Sequence, residues 1–244
     1  MTDDPYSDED LVQLYDLDNP ATEDHAYYRT LAEHINAGKI VDLGCGTGLL
    51  TRALATPGRT VIGVDPSATM LAYARRQPGA EAVTWVDGDA SVIPPAGDAD
   101  LAISTGNAIM HISPVEYPSV LRALAAALRP GGTISFESRN PAAREWESWT
   151  REATYSERDT PVGHLREWLH VTENVGGRVV FESHNVFPDG STKVYESVLY
   201  FRSADDIREG LEAAGFQEVS IEGGWHGEPV SDSSRIFVFR ARKR

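Results

Sequence analysis

The stretch VDLGCGTGLL, residues 41–50, decides the fold. A short apolar run ends at Leu43, glycines follow at positions 44, 46 and 48, and Leu49-Leu50 open what reads as a helix. Glycines at this spacing permit a tight turn and leave backbone amides uncovered at a helix start, an arrangement suited to a nucleotide. By itself such a loop is also an ordinary strand-to-helix connection. A dinucleotide fingerprint wants a third glycine where Leu49 stands, and a Walker phosphate loop wants a lysine that Gly48-Leu49-Leu50 lacks.

Working outward, residues 24–36 place Tyr28, Leu31, Ala32 and Ile35 at helical spacing, and KIVDLG is a buried-strand pattern. LLTRALAT then reads as a helix and TVIGVD, residues 60–65, as a second strand. ATMLAYARRQ is a helix capped by Ser67 and stopped by Pro78-Gly79. AVTWVDGDA gives a third strand and DADLAIST a fourth. PSVLRALAAALRP is a helix ended by Pro130-Gly131-Gly132, and TISFESRN is a fifth strand. This alternation through residue 140 predicts a parallel sheet with helices on both faces and ligands beyond the carboxyl ends of its strands.

The pattern changes after residue 141. PAAREWESWTREATYSERDTP has weak helical character, and LREWLHVTENV, RVVFESHNVF and STKVYESVLYF read as antiparallel strands. SADDIREGLEAAG is a helix with Ser203 and Asp206 at capping-box spacing, and FQEVSIEG and RIFVFRARK close the chain as two strands. The acidic first twenty residues read as loosely ordered.

Composition narrows the chemistry. With 244 residues, 41% of them hydrophobic, the chain can build one large core. The formal charge of −15, with 22 scattered Lys and Arg, opposes a nucleic-acid partner. The N-terminus has no basic region followed by an apolar one, no run approaches the roughly 20 residues of a membrane span, and Cys45 is the single cysteine. A cytoplasmic protein is expected.

Asp65 ends the second strand, where a carboxylate can accept from both ribose hydroxyls; helix capping is its other use, and Ser67 is available for that. Asp89 and Ala90 follow the third strand, placed to accept from an adenine amino group and donate to its ring. These three strand ends together point to a nucleoside.

VDLGCGTG, VIGVDPSATML, DGDA and LRPGGTISFE, in that order, closely resemble the class I S-adenosylmethionine-dependent methyltransferases. The resemblance covers most of the chain. It implies an α/β Rossmann-like seven-stranded sheet, mostly parallel with the last strand antiparallel, and an inserted antiparallel β lid. The expected division is a cofactor-binding core with N-terminal helices at 1–140, the lid at 141–201, and a return to the core at 202–244. It also implies that Asp42, Gly44, Cys45 and Gly46 line the methionine part of the cofactor, Asp65 with Pro66 and Met70 the ribose side, and Asp89 with Ala90 the adenine. Ser104, Thr105 and Gly106 are expected beside the sulfonium. The cofactor is S-adenosylmethionine, leaving S-adenosylhomocysteine, and the acceptor is a small molecule whose attacking atom (oxygen, nitrogen or carbon) stays open.

His111, in STGNAIMHI, is the candidate general base, with a packed structural histidine as the alternative. Candidate acceptor residues are Tyr15, Tyr28, Asn107, Arg139, Asn140 and Trp146; packing or loop roles compete for each. Amino-DNA methyltransferases carry an Asn/Asp-Pro-Pro-aromatic run after the fourth strand, where this chain has Ser104-Thr105-Gly106-Asn107, which again opposes a nucleic-acid substrate. His164, His170, His184 and His226 lack metal-ligand spacing, so no metal is expected. A monomer or homodimer without membrane contact completes the reading. A non-catalytic cofactor-binding protein and, more distantly, a nicotinamide oxidoreductase are the alternatives.

Overall fold

The computed structural model describes residues 4–244. Among these residues, two sheets carry the fold. The first contains β1 (Lys39–Leu43), β2 (Thr60–Asp65), β3 (Val83–Asp87), β4 (Ala99–Ser104) and β5 (Leu128–Arg139). All four pairings among these five strands are parallel. The second contains β6 (Ser156–Thr160), β7 (Gly163–Val175), β8 (Arg178–Val186) and β9 (Thr192–Tyr200), antiparallel throughout. The chain returns to the first sheet with β10 (Phe216–Glu222) and β11 (Ile236–Lys243), giving the order β10-β11-β5-β4-β1-β2-β3. β11 runs antiparallel to both neighbours and makes the sheet seven-stranded and mixed.

The helices sit where the periodicity predicts them, with tighter ends: α2 (Glu23–His34), α3 (Leu49–Leu54), α4 (Ala68–Ala74), α5 (Tyr117–Ala127) and α7 (Ala204–Ala213). Short helical pieces fill residues 141–154, ending in α6 (Arg151–Thr154). Parallel central strands are covered on both faces and so read as continuous apolar runs. Tyr28, Leu31, Leu50 and Leu54 pack with Ile40, Leu101 and Ile103 as one apolar cluster. Leu121, Leu124, Ile207 and Leu211 pack with Val41, Ala102, Ile134 and Phe136 in another. Ser203 caps α7 by accepting from the Asp206 amide, and the Asp206 carboxylate accepts from the Ser203 amide.

Two expectations change. Of the first twenty residues, 1–3 lie outside the described residues and the rest are not loosely ordered: a 3-10 turn, Pro5–Ser7, leads into α1 (Glu9–Asp18), capped by Asp8 accepting from the Asp10 and Leu11 amides. Composition misses this because what holds α1 is far away in sequence. Leu14 packs with Leu165 and Phe187, Lys193 pairs with Asp8 at 2.6 Å, and Arg158 pairs with Asp18 at 2.7 Å. The second change is β6, which has no apolar alternation in SERDT because it is an edge strand paired only to β7. The second sheet shares the main core: Val179, Leu199 and Phe201 join the cluster built on β5.

Candidate active site

A cavity of about 690 Å³ opens over the carboxyl ends of β1, β2 and β4, the place predicted from the alternation. Its floor is the glycine loop. Gly46 has φ of +53° and nothing within 4 Å of where a Cβ would stand, so the backbone lies open to a ligand there. A Cβ at Gly44 would come within 2.6 Å of Ala108 Cβ, so this glycine lets the loops after β1 and β4 approach each other.

Asp65, 7% exposed, braces the floor: one carboxylate oxygen accepts from the Gly46 amide and the other from the Ser67 amide, both at 2.8 Å. Burial pushes its carboxyl above the ordinary range, against the pull of the two amides. Pro66, Ser67 and Met70 continue this wall, and Asp89, Ala90 and Ser91 close the end beside it. The Ser91 hydroxyl and amide hold the Asp89 carboxyl below its ordinary value. Ser104, Thr105 and Gly106 line the middle. The Ser104 hydroxyl is buried and has no partner.

Two expected cofactor residues stand behind the wall. Asp42 is 1% exposed, accepts from Thr51 Oγ1 at 2.7 Å, and is pushed up to about 7 by burial. Cys45 turns toward Gly63 and Trp85, and burial raises its thiol.

The cover comes from the N-terminus and the second sheet. Tyr6 and Tyr15 meet edge to face at 6.2 Å, and both line the cavity with Glu196, Ser197 and Val198 of β9. His111, at the end of the 3-10 turn Ala108–His111, also lines it. Its Nε2 shares a 3.3 Å hydrogen bond with the Tyr6 hydroxyl, and desolvation in the wall lowers its pKa. Desolvation also pushes Tyr15 up to about 12.

The other expected acceptor residues do not line this cavity, each for a visible reason. Tyr28 is fully buried and donates to Glu137. The Asn107 backbone, at φ +60°, donates its amide to Glu137 Oε1 at 2.6 Å. Arg139 pairs with Glu145 and lies over Trp149 at 5.6 Å. Asn140, 2% exposed, caps a 3-10 turn through Ala142 and donates to the Ser234 carbonyl at 2.7 Å. Trp146 packs edge-on against Phe201 at 4.5 Å.

Sequence reasoning missed Tyr6, Glu116 and Glu196, which reach the cavity through tertiary contacts that leave no local signal, and gave Ser67 only a capping role although it stands two positions past the end of β2. Glu137 left one: a charged residue inside the otherwise buried run of β5. It is 2% exposed and burial pushes it up to about 7.

A family described as "Methyltransferase domain" matches residues 40–132. The chain is 26% identical over 245 residues to a cypemycin N-terminal methyltransferase of Streptomyces sp, covering 96% of each. Other curated relatives match over less of their own length, two of them over 36% and 63%. Among solved structures, the CcbJ methyltransferase of Streptomyces caelestis superposes with a TM-score of 0.80 at 19% identity over 98% of each chain. CalS10 of Micromonospora echinaspora, an amino pentose methyltransferase solved with S-adenosylmethionine bound, does so at 0.69 and 21% identity over 93% of each.

Proposed function

We propose, from the premise that this chain belongs to the class I S-adenosylmethionine-dependent methyltransferases and methylates a small molecule, that the cavity over β1, β2 and β4 is where both reactants meet. The observation that carries this reading is Asp65, fixed by two amides at a strand end beside an uncovered Gly46. That pair fits a ribose next to a nucleoside's linking chain. The unpartnered Ser104 hydroxyl fits a polar ligand in the middle of the cavity.

The cofactor, once bound, supplies a methyl carbon activated by positive sulfur. Asp65, with Pro66 and Met70, would hold the ribose; Asp89 and Ala90 the adenine; Gly44, Gly46, Ser104, Thr105 and Gly106 the methionine end. Asp42 and Cys45 would act from behind, supporting the loop. Aligning two reactants in a closed site contributes up to about 7–11 kcal/mol of effective concentration. Tyr6, Tyr15 and β9 supply the closure. His111, whose desolvation favours the neutral imidazole, is the group placed to accept a proton from the acceptor.

The division at residues 140 and 201 then separates the cofactor core from the part of the cover that the second sheet supplies, with Tyr6 and Tyr15 adding to that cover from within 1–140. The charge of −15 supports an acceptor other than nucleic acid and the single cysteine a reducing, cytoplasmic setting, and a monomer or homodimer completes the proposal. No helix among the described residues is long and apolar enough to cross a membrane. Calorimetry tests the reading: S-adenosylmethionine and S-adenosylhomocysteine should bind in the micromolar range. Binding of NADH with failure of both would overturn it.

A further inference from the structure

The charge of the cavity wall is one-sided. Asp4, Asp65, Asp89, Glu116 and Glu196 line it, and among the described residues no Lys or Arg does. Among the described residues none of these five carboxyl groups has an ion-pair partner. The cations of the cover are engaged elsewhere: Lys193 by Asp8 and Asp10, and Arg202 by the carbonyls of Ile109 and Ile112. A wall of unpaired acids focuses a negative field into the space it encloses. In the same space the Ser104 hydroxyl, given above to the methionine end, is buried without a partner, so a polar ligand is missing there.

We infer that the methyl acceptor is a cationic amine, recognised by this acid-only cavity and methylated on nitrogen. The inference rests on the cofactor reading given above. The methyl donor carries one sulfonium charge to offset the acids, and an ammonium group brings a second. A carboxylate or phosphate acceptor would meet several acids and, among the described lining residues, no Lys or Arg, so the wall selects against it.

The chemistry balances. The entering ammonium releases one proton, for which His111 Nε2, facing the Tyr6 hydroxyl, is the acceptor. The freed nitrogen lone pair forms the N–C bond as the methyl C–S bond breaks, its electron pair passing to sulfur and the positive charge to nitrogen. A methylated ammonium therefore remains among the acids after transfer. An alcohol would leave no cation there once its proton had gone.

Matched fragments test this: cyclohexylamine, cyclohexanol and cyclohexanecarboxylate, with benzylamine, benzyl alcohol and benzoate, titrated by ligand-observed NMR into protein saturated with S-adenosylhomocysteine. The amines should bind about tenfold tighter than their alcohols, with the carboxylates weakest. Asp4→Asn combined with Glu196→Gln should cut that preference to below about threefold. Amines that bind no better than their alcohols, including no binding by either, overturn the inference, as does a preference the double variant leaves intact. Bound amines incubated with S-adenosylmethionine should gain a methyl on nitrogen by mass spectrometry; methylated alcohols in their place would overturn it too. Loss of S-adenosylhomocysteine binding by the wild type would instead strike the cofactor reading.

Discussion

The floor of the cavity and its cover are built on different principles. Floor residues sit at a strand end or within three positions beyond it, and their bonds are short in sequence: Gly46 reaches Asp65 across 19 residues and Ser67 reaches it across two. The cover is stitched from distant pieces, Lys193 to Asp8 across 185 residues and the Tyr6 hydroxyl to His111 across 105. A floor set by local chain geometry tolerates a changing cover, which allows one cofactor site to serve different acceptors.

The sharpest way to break this contrast is at His111, where the two parts meet. His111→Ala should lower kcat by about 10²–10⁴-fold with cofactor affinity unchanged, once an amine acceptor is in hand. Unchanged turnover would remove it from proton transfer. Asp65→Ala strikes the floor alone and should weaken S-adenosylmethionine binding by about 100-fold, since two charge-assisted hydrogen bonds go. Calorimetry showing wild-type affinity would refute the ribose assignment.

Glu137→Gln probes the layer behind the floor. Its folded pKa is raised to about 7, so the folded state holds a proton that the unfolded state has released above its ordinary value of 4.5. Stability from this group is therefore fullest below pH 4.5 and falls as pH rises toward 7. Denaturant melts of Glu137→Gln across that range should lose part of this decline; an identical slope would show that Glu137 is already ionised when folded. The smallest effect is expected in the cover. Lys193→Ala removes partly exposed ion pairs to Asp8 and Asp10 and should cost about 0.2–1 kcal/mol, less at high salt. Hydrogen exchange should place the loss in α1 and leave α3 and α4 protected. Equal loosening of α3 would mean that floor and cover are one unit.

The same contrast explains what the sequence could disclose. The five parallel strands, the capping box at Ser203 and the turn after Asp65 were readable because apolar period, caps and glycine positions act within a few residues. The cofactor-side residues inherit that legibility. α1 was hidden because its acids look like a solvated tail until Lys193, Arg158 and Thr47 are brought beside them. Arg139, Asn140 and Trp146 are near the expected strand end, yet their side chains turn to Glu145, Ser234 and Phe201. Topology says which end of a strand a residue occupies; side-chain partners decide which way it faces. For Tyr28 and Asn107, that partner is Glu137, whose buried carboxyl gathers both.

The stitching of α1 bears on the order of synthesis. Residues 9–18 leave the ribosome long before Leu165, Phe187 and Lys193 exist to receive them. The parallel core can collapse around β1, β2 and β4 before the second sheet exists. Through Asp16, α1 can meet Thr47 and Arg52 of the core early, but its contacts to Leu165, Phe187 and Lys193 form, and the cavity is roofed, only when the second sheet is complete.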